Sequence, residues 1–197
     1  MYLGWRIGDE RRDISQRIDA IIVGANPEEL NLSPQRIEAI LRVEDPTFWT
    51  NKGVDLTSPG AGMATLSQGL GKSIFFEGFK PGFAKIKLMA LTRFALYPKV
   101  DQQRTLKAVL ARVYLGTHLG RSVIGIADSA STWFGKPLSR LSDGAFRQLQ
   151  AMFVAPNALK PGRDDAGRIA RAVRIERLLS GRCAPTGLRD VRLAGWA

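Results

Sequence analysis

Residues 33–56 read SPQRIEAILRVEDPTFWTNKGVDL, and the class of the fold turns on this stretch. Ser33 is placed to cap a helix with its hydroxyl, and Pro34 suits the first turn, where a missing N–H costs nothing. Ile37, Ile40 and Leu41 recur at helical spacing and make one inward stripe. Glu44 falls on the same stripe, so the helix aims a carboxylate inward. Desolvation disfavours its charge, and so does the partial negative charge of unpaired carbonyls at a helix C-terminus. Both raise its pKa toward the range where a general acid or base works near neutral pH. The competing reading is a carboxylate held by a neighbouring arginine in a structural ion pair. Beyond Asp45 the chain turns polar, with Gly and Pro, and reads as a loop over 50–60.

Outward from this stretch the helical period recurs and strand alternation does not. Ile14, Ile18, Ile21 and Ile22 mark a helix over residues 10–23, halted by GANPEE. AGMATLSQGLGKSIFF, residues 61–76, reads as a helix weakened by Gly69 and Gly71, each costing about 1 kcal/mol against alanine. After the break at EGFKPG, FAKIKLMALTRFALY forms a mixed basic and apolar helix ended by Pro98. Asp101 caps the next helix, whose Leu106, Val109, Leu110 and Val113 share a face until Gly116 closes it. Further helices are expected over 122–134, closed by Gly135, over 142–153, and over 164–180, where Ile169, Val173 and Leu179 lie near one face among many arginines. The fold class is mainly α in a single domain: an N-terminal helical extension over 1–32, a main unit over 33–181 and a C-terminal tail over 182–197.

Composition narrows the chemistry. One cysteine, Cys183, and one histidine, His118, exclude an internal disulfide and most thiolate or histidine metal sites. A net charge of +11 calls for an anionic partner: nucleic acid, an anionic membrane surface or a phosphorylated substrate. Zinc ligands, a basic region with heptads and an aromatic RNA-binding signature are all lacking, which disfavours nucleic acid. No stretch reaches the ~18 apolar residues of a membrane span, and MYLGWRIGDERRD lacks the apolar region of a signal peptide.

Two further constellations stand out. Thr65, Gln68 and Lys72, at i, i+3 and i+7, put a hydroxyl, an amide and a cation on one helix face, a row suited to a phosphate or a sugar hydroxyl. Between residues 71 and 125 ten Lys and Arg face two acids, and SIFFEGFKPGFAKIKLMALTRFALY interleaves lysines with Phe, Ile, Leu and Met. That mixture suits an anionic membrane interface, or a buried helix whose lysines reach back to water.

Taken in order, these segments resemble the motifs of the peptidoglycan glycosyltransferases, the polymerase domain of bifunctional penicillin-binding proteins and their monofunctional relatives. VEDPTFWTNKGVD resembles the first motif, GMATLSQGLGKS the second and AKIK the third. VLARVYLG is similar to the family's Leu-Asn-Arg-Ile-Tyr-Phe-Gly stretch, GIADSASTWFGKPLSRLS to its Tyr-Phe-Gly-Lys segment and APNALKP to its Ala-Pro segment. The likeness covers roughly residues 33–177.

The resemblance implies a lysozyme-like helical core and a role for each matching residue. Glu44 would be the base that deprotonates the acceptor's 4-hydroxyl, with Asp45 in support. Thr65, Gln68, Lys72, Lys85 and Arg112 would bind the donor and its pyrophosphate. It implies a bacterial protein at the periplasmic face of the membrane, a lipid II-like glycan as substrate, cell-wall synthesis proteins as partners, and no nucleic acid. It fixes no cofactor, and a divalent metal, magnesium, beside the pyrophosphate is compatible with it. Asn51, Gly69, Ser73, Ala84, Leu88 and Ala111 depart from the pattern, and the third motif's glutamate falls at Leu88, or at Met89 if the alignment slips by one. The expectation is a divergent glycosyltransferase with an eroded site. The alternatives are a non-catalytic relative that binds the lipid-linked glycan, and a lysozyme-like lytic enzyme.

Overall fold

The computed structural model describes residues 2–60 and 64–196. It is mainly helical. Helix α1 (Tyr2–Val23) leads to the single turn α2 (Pro27–Leu30) and to α3 (Pro34–Glu44). Ser33 caps α3 through a bond from the Arg36 amide, and Asp45 ends it. α4 (Leu66–Phe75) is capped by Thr65, whose hydroxyl accepts from the Gln68 amide. α5 (Phe83–Leu91) runs into a π-helical segment, Thr92–Leu96, and α6 (Gln102–Arg112) is capped by Asp101. α7 (Ile126–Phe134), α8 (Asp143–Ala151), the short α9 (Pro156–Leu159) and α10 (Asp165–Leu179) complete the helices.

Three buried clusters hold these elements together. The largest joins α3 to α7 and α8 through Ile40, Phe48, Leu110, Ile126, Phe146 and Leu149. A second buries Ile14 and Ile18 of α1 against Leu70, Ile74, Leu96 and Val109. The third packs Val43, Ala151, Ala172 and Ile175 around Leu193, a residue well past the last long helix.

Four features depart from the sequence reading. α1 begins eight residues earlier than its isoleucines indicate. Residues 61–63, read as the opening of a helix, lie outside the described residues, and α4 starts at Leu66. Between α6 and α7 the chain forms an antiparallel hairpin, β1 (Tyr114–His118) with β2 (Arg121–Ile124), where the sequence suggested the end of one helix and the start of another. A bulge between Tyr114 and Thr117 breaks the alternation that would have marked the strands. Finally, α10 turns Arg168, Arg171, Ala172, Ile175 and Leu178 inward and leaves Ile169 and Val173 about half exposed. Its packing against α8 and α3 selects a face carrying two arginines, each with a carboxylate partner, over the face of β-branched residues.

Candidate active site

The end of α3, the start of α4 and the end of α6 surround a cleft of about 620 Å³. Glu44, Thr65, Lys72, Arg112, Tyr114 and Val191 are among the residues that line it. Glu44 reaches it because it is the last residue of a helix whose preceding turn, Ile40, Leu41 and Val43, is buried. The helix phase that puts those residues in the core delivers the carboxylate to the cleft.

Glu44 is not free. Arg171 Nη2 donates to Glu44 Oε1 at 3.2 Å and to the carbonyl oxygen of Val191 at 3.0 Å. Side-chain exposure is 3% for Arg171 and 14% for Glu44, so the carboxylate retains one face toward the cleft. Burial pushes the Glu44 pKa up, and the charge and hydrogen bond of Arg171 oppose that rise. Both readings of the sequence therefore describe one residue: an inward carboxylate at a cleft and a member of an ion pair.

Asp45 sits behind the cleft wall. It is buried, and its two oxygens accept from Asn51 Nδ2 at 2.5 Å and from the Leu66 amide at 2.9 Å. Burial raises its pKa to about 7, against the pull of those bonds. The carboxylate thus ties the end of α3 to the first residue of α4. Asn51 also accepts from the Gly53 amide at 2.8 Å, which shapes the turn between them. Farther along the loop, burial of Asp55 is outweighed by bonds from Ser58, Thr47 and Thr57, which hold its pKa well below the usual carboxylate range.

The polar row on α4 divides. Thr65 donates to Gly53 O at 2.9 Å while capping its own helix. Gln68 is buried, with its amide 3.5 Å from the same carbonyl, and does not line the cleft. Lys72 does, with its ammonium 5.2 Å from the centre of the Phe79 ring. Burial and then repulsion by Lys85 lower its pKa. Lys85, on α5, is close enough to repel Lys72 but lies outside the cleft lining. Arg112, at the end of α6, lines the cleft and is exposed.

Glu44 is the only acid among the described lining residues, and no group of three or more His, Cys, Asp or Glu positioned for a metal ion occurs among the described residues. Leu88, which departs from the glutamate of the third motif, is buried in the core with its side chain directed at Gly71 of α4. The cations lining the same cleft are Lys72 and Arg112.

Three participants escaped the sequence. Arg171 was hidden among the arginines of α10, because apolar periodicity is blind to a buried cation. Tyr114, whose hydroxyl is held by Asn157 Nδ2 at 2.8 Å and Thr117 Oγ1 at 2.7 Å, belonged to a hairpin that was not foreseen. Val191 contributes a backbone carbonyl, which no side-chain pattern encodes.

A family model described as Transglycosylase matches residues 26–179. A protein named as a transglycosylase in Cupriavidus necator is 30% identical over 151 residues, covering 73% of this chain and 62% of that one. The biosynthetic peptidoglycan transglycosylase of Laribacter hongkongensis is 27% identical over 163 residues, covering 76% and 69%. Penicillin-binding protein 1B of Vibrio cholerae is 26% identical over 140 residues, covering 64% of this chain and only 18% of its own length. The chain thus spans under a fifth of that penicillin-binding protein and about two thirds of the shorter transglycosylases.

Proposed function

Since the chain belongs to the transglycosylase family, we propose that it elongates a bacterial cell-wall glycan carried on a lipid pyrophosphate, with Glu44 as the general base. The observation that carries this reading is the placement of Glu44 in one cleft with Lys72 and Arg112. In the step proposed, Glu44 takes the proton of the acceptor sugar's 4-hydroxyl. The oxygen bonds to the anomeric carbon of the donor, and the bond from that carbon to the pyrophosphate oxygen breaks. The leaving diphosphate keeps the electron pair and is stabilised by Lys72 and Arg112, with Lys85 adding to the field. Arg171 holds Glu44 in one orientation, and burial keeps the carboxylate basic enough to accept a proton. Thr65, Gln68 and Asp45 keep the wall of the cleft in shape through Gly53 and Leu66.

An anionic membrane surface is the proposed location of the substrate, consistent with a periplasmic-face protein acting beside other cell-wall synthesis proteins. Phe83 and Ile86 on α5 and Phe94 just beyond it are exposed, and Lys85, Lys87 and Arg93 stand among them. No helix among the described residues is long and apolar enough to cross a membrane.

The test is Glu44→Gln, which preserves shape and leaves an amide oxygen for Arg171 but removes the proton acceptor. Glycan transfer from a lipid-linked disaccharide is expected to fall by about 10²–10⁴ while the variant stays folded and binds the donor. Equal rates in the two proteins would remove Glu44 from the mechanism. Binding without turnover in the wild type would instead favour a glycan-binding relative, in which Arg171 and the lost acid at Leu88 have silenced the chemistry. Cleavage of finished glycan strands would mark a lytic enzyme.

A further inference from the structure

Residues 182–194 fall beyond the stretch that the family model matches, yet they do not hang free. Leu193 is buried among Val43, Ala172, Ile175 and Leu178. Its φ is +55°, a conformation that residues other than glycine rarely adopt and that persists where the surroundings impose it. On one side of this anchor, Asp190 accepts from the Ala194 amide at 2.6 Å and from the Thr186 hydroxyl at 3.2 Å, closing the segment on itself. On another, the Gly187 carbonyl accepts from the Gly60 amide at 2.9 Å, and Pro185 lies against Gly60. Arg174 of α10 donates to the Arg192 carbonyl at 3.2 Å.

Gly60 and Val191 both line the cleft. Arg171 Nη2 divides its bonding between Glu44 and the Val191 carbonyl. The remaining hold on this guanidinium is slight: Nη1 is 3.5 Å from the Gln150 carbonyl, and Nε has no partner among the described residues. The strap's carbonyl is therefore one of the two short bonds that keep a buried cation in place against the carboxylate.

We propose that segment 182–194 is a working wall of the active site, a strap that covers the Glu44–Arg171 pair and fixes the guanidinium through the Val191 carbonyl. Val191 thereby acts as a positioning residue for Glu44. This inference rests on the assignment of Glu44 as the site's base only for its effect on transfer, and not for its effect on the carboxylate itself. The groups facing Glu44 are few. Arg171 comes from α10, Asp45 follows it at the end of α3, Lys72 and Arg112 line the same cleft from α4 and α6, and on the strap Asp190 is engaged within its own segment while Arg192 is exposed. Since burial is the largest influence on Glu44 and Arg171 the smaller opposing one, lifting the strap lets the carboxylate return toward its ordinary value.

The experiment uses the full chain and Leu193→Ala, which frees the anchor and leaves every group facing Glu44 in the sequence. The Glu44 carboxyl is titrated by carbon NMR in both proteins, and glycan transfer is followed against pH. The expected result is a lower Glu44 midpoint in the variant, and a transfer rate lowered about tenfold or more with KM for the lipid-linked donor little changed. A Glu44 midpoint that stays put overturns the proposal. Should the variant fold poorly, amide exchange at residues 186–193 of the wild type, with and without undecaprenyl pyrophosphate as probe, decides instead. Slowed exchange on binding supports a wall of the cleft, and unchanged exchange with the probe bound overturns it. If the midpoint moves while transfer does not, the strap stands and the base assignment for Glu44 falls.

Discussion

Glu44 and Asp45 are adjacent carboxylates with different surroundings, and the difference is one of helix phase. Glu44 ends the inward stripe of α3 at a cleft, whereas Asp45 begins a turn and is enclosed by Asn51 and Leu66. Asp45 has a folded pKa of about 7 against an ordinary 3.8. Its contribution to stability is complete below about pH 4 and is lost as pH rises through about 7, because the enclosure accepts the neutral form more readily than the anion. Asp45→Asn keeps a neutral group there at every pH. The melting temperature of the wild type relative to this variant should therefore fall between about pH 4 and pH 7 and level off above that. A difference between the two melting temperatures that does not change across that range would count against a buried, titrating Asp45. Glu44 was legible in the sequence because a helical period predicts direction. The burial of Gln68 was not, because a polar stripe carries no mark distinguishing water from a neighbouring carbonyl.

Among the elements, α4 is the one whose glycines separate by function. Sequence alone charges Gly69 and Gly71 the same helical penalty. A Cβ at Gly69 would meet nothing within 4 Å, while one at Gly71 would lie 3.0 Å from both the Leu88 side chain and the Thr92 hydroxyl. Leu88 and Thr92 are fully buried on α5 and the π segment, so neither has room to yield. Gly69→Ala should accordingly raise stability by up to about 1 kcal/mol, and Gly71→Ala should lower it despite the same gain in propensity. Chemical denaturation of the two variants checks both signs, and stabilisation by both would show that α4 and α5 are not closely apposed. The helices carrying regular apolar spacing and a capping side chain, α3 and α6, were readable from the sequence. The hairpin β1–β2 was not, since four- and five-residue strands interrupted by a bulge between Tyr114 and Thr117 present no period to read. The inward face of α10 was missed for a related reason: its buried arginines are stabilised by partners on α8, α3 and the strap, which are distant in sequence.

At the scale of the molecule, charge and exposed apolar groups act together. With a net charge of +11 and with Phe83, Ile86 and Phe94 exposed beside Lys85, Lys87 and Arg93, the protein should bind vesicles containing anionic lipid. Attraction of this kind is screened over ~8 Å at physiological ionic strength, so binding should weaken as salt rises. The double substitution Phe83→Ser with Ile86→Ser should abolish the residual high-salt binding without altering the melting temperature, because the side chains are 91% and 62% exposed. Salt-insensitive binding, or binding indifferent to the double change, would place the contact elsewhere. The packing of α1 has an implication of another kind. Ile14 and Ile18, which precede the matched stretch, are wholly enclosed with Leu70, Ile74 and Val109, which lie within it. A recombination event that exchanged the chain at residue 26 for the equivalent piece of a relative would cut through solid packing and strip α4 and α6 of their cover. The border of sequence likeness and the border of mechanical integrity lie in different places, so inheritance of this module, by evolution or by an engineer, must carry α1 along with it.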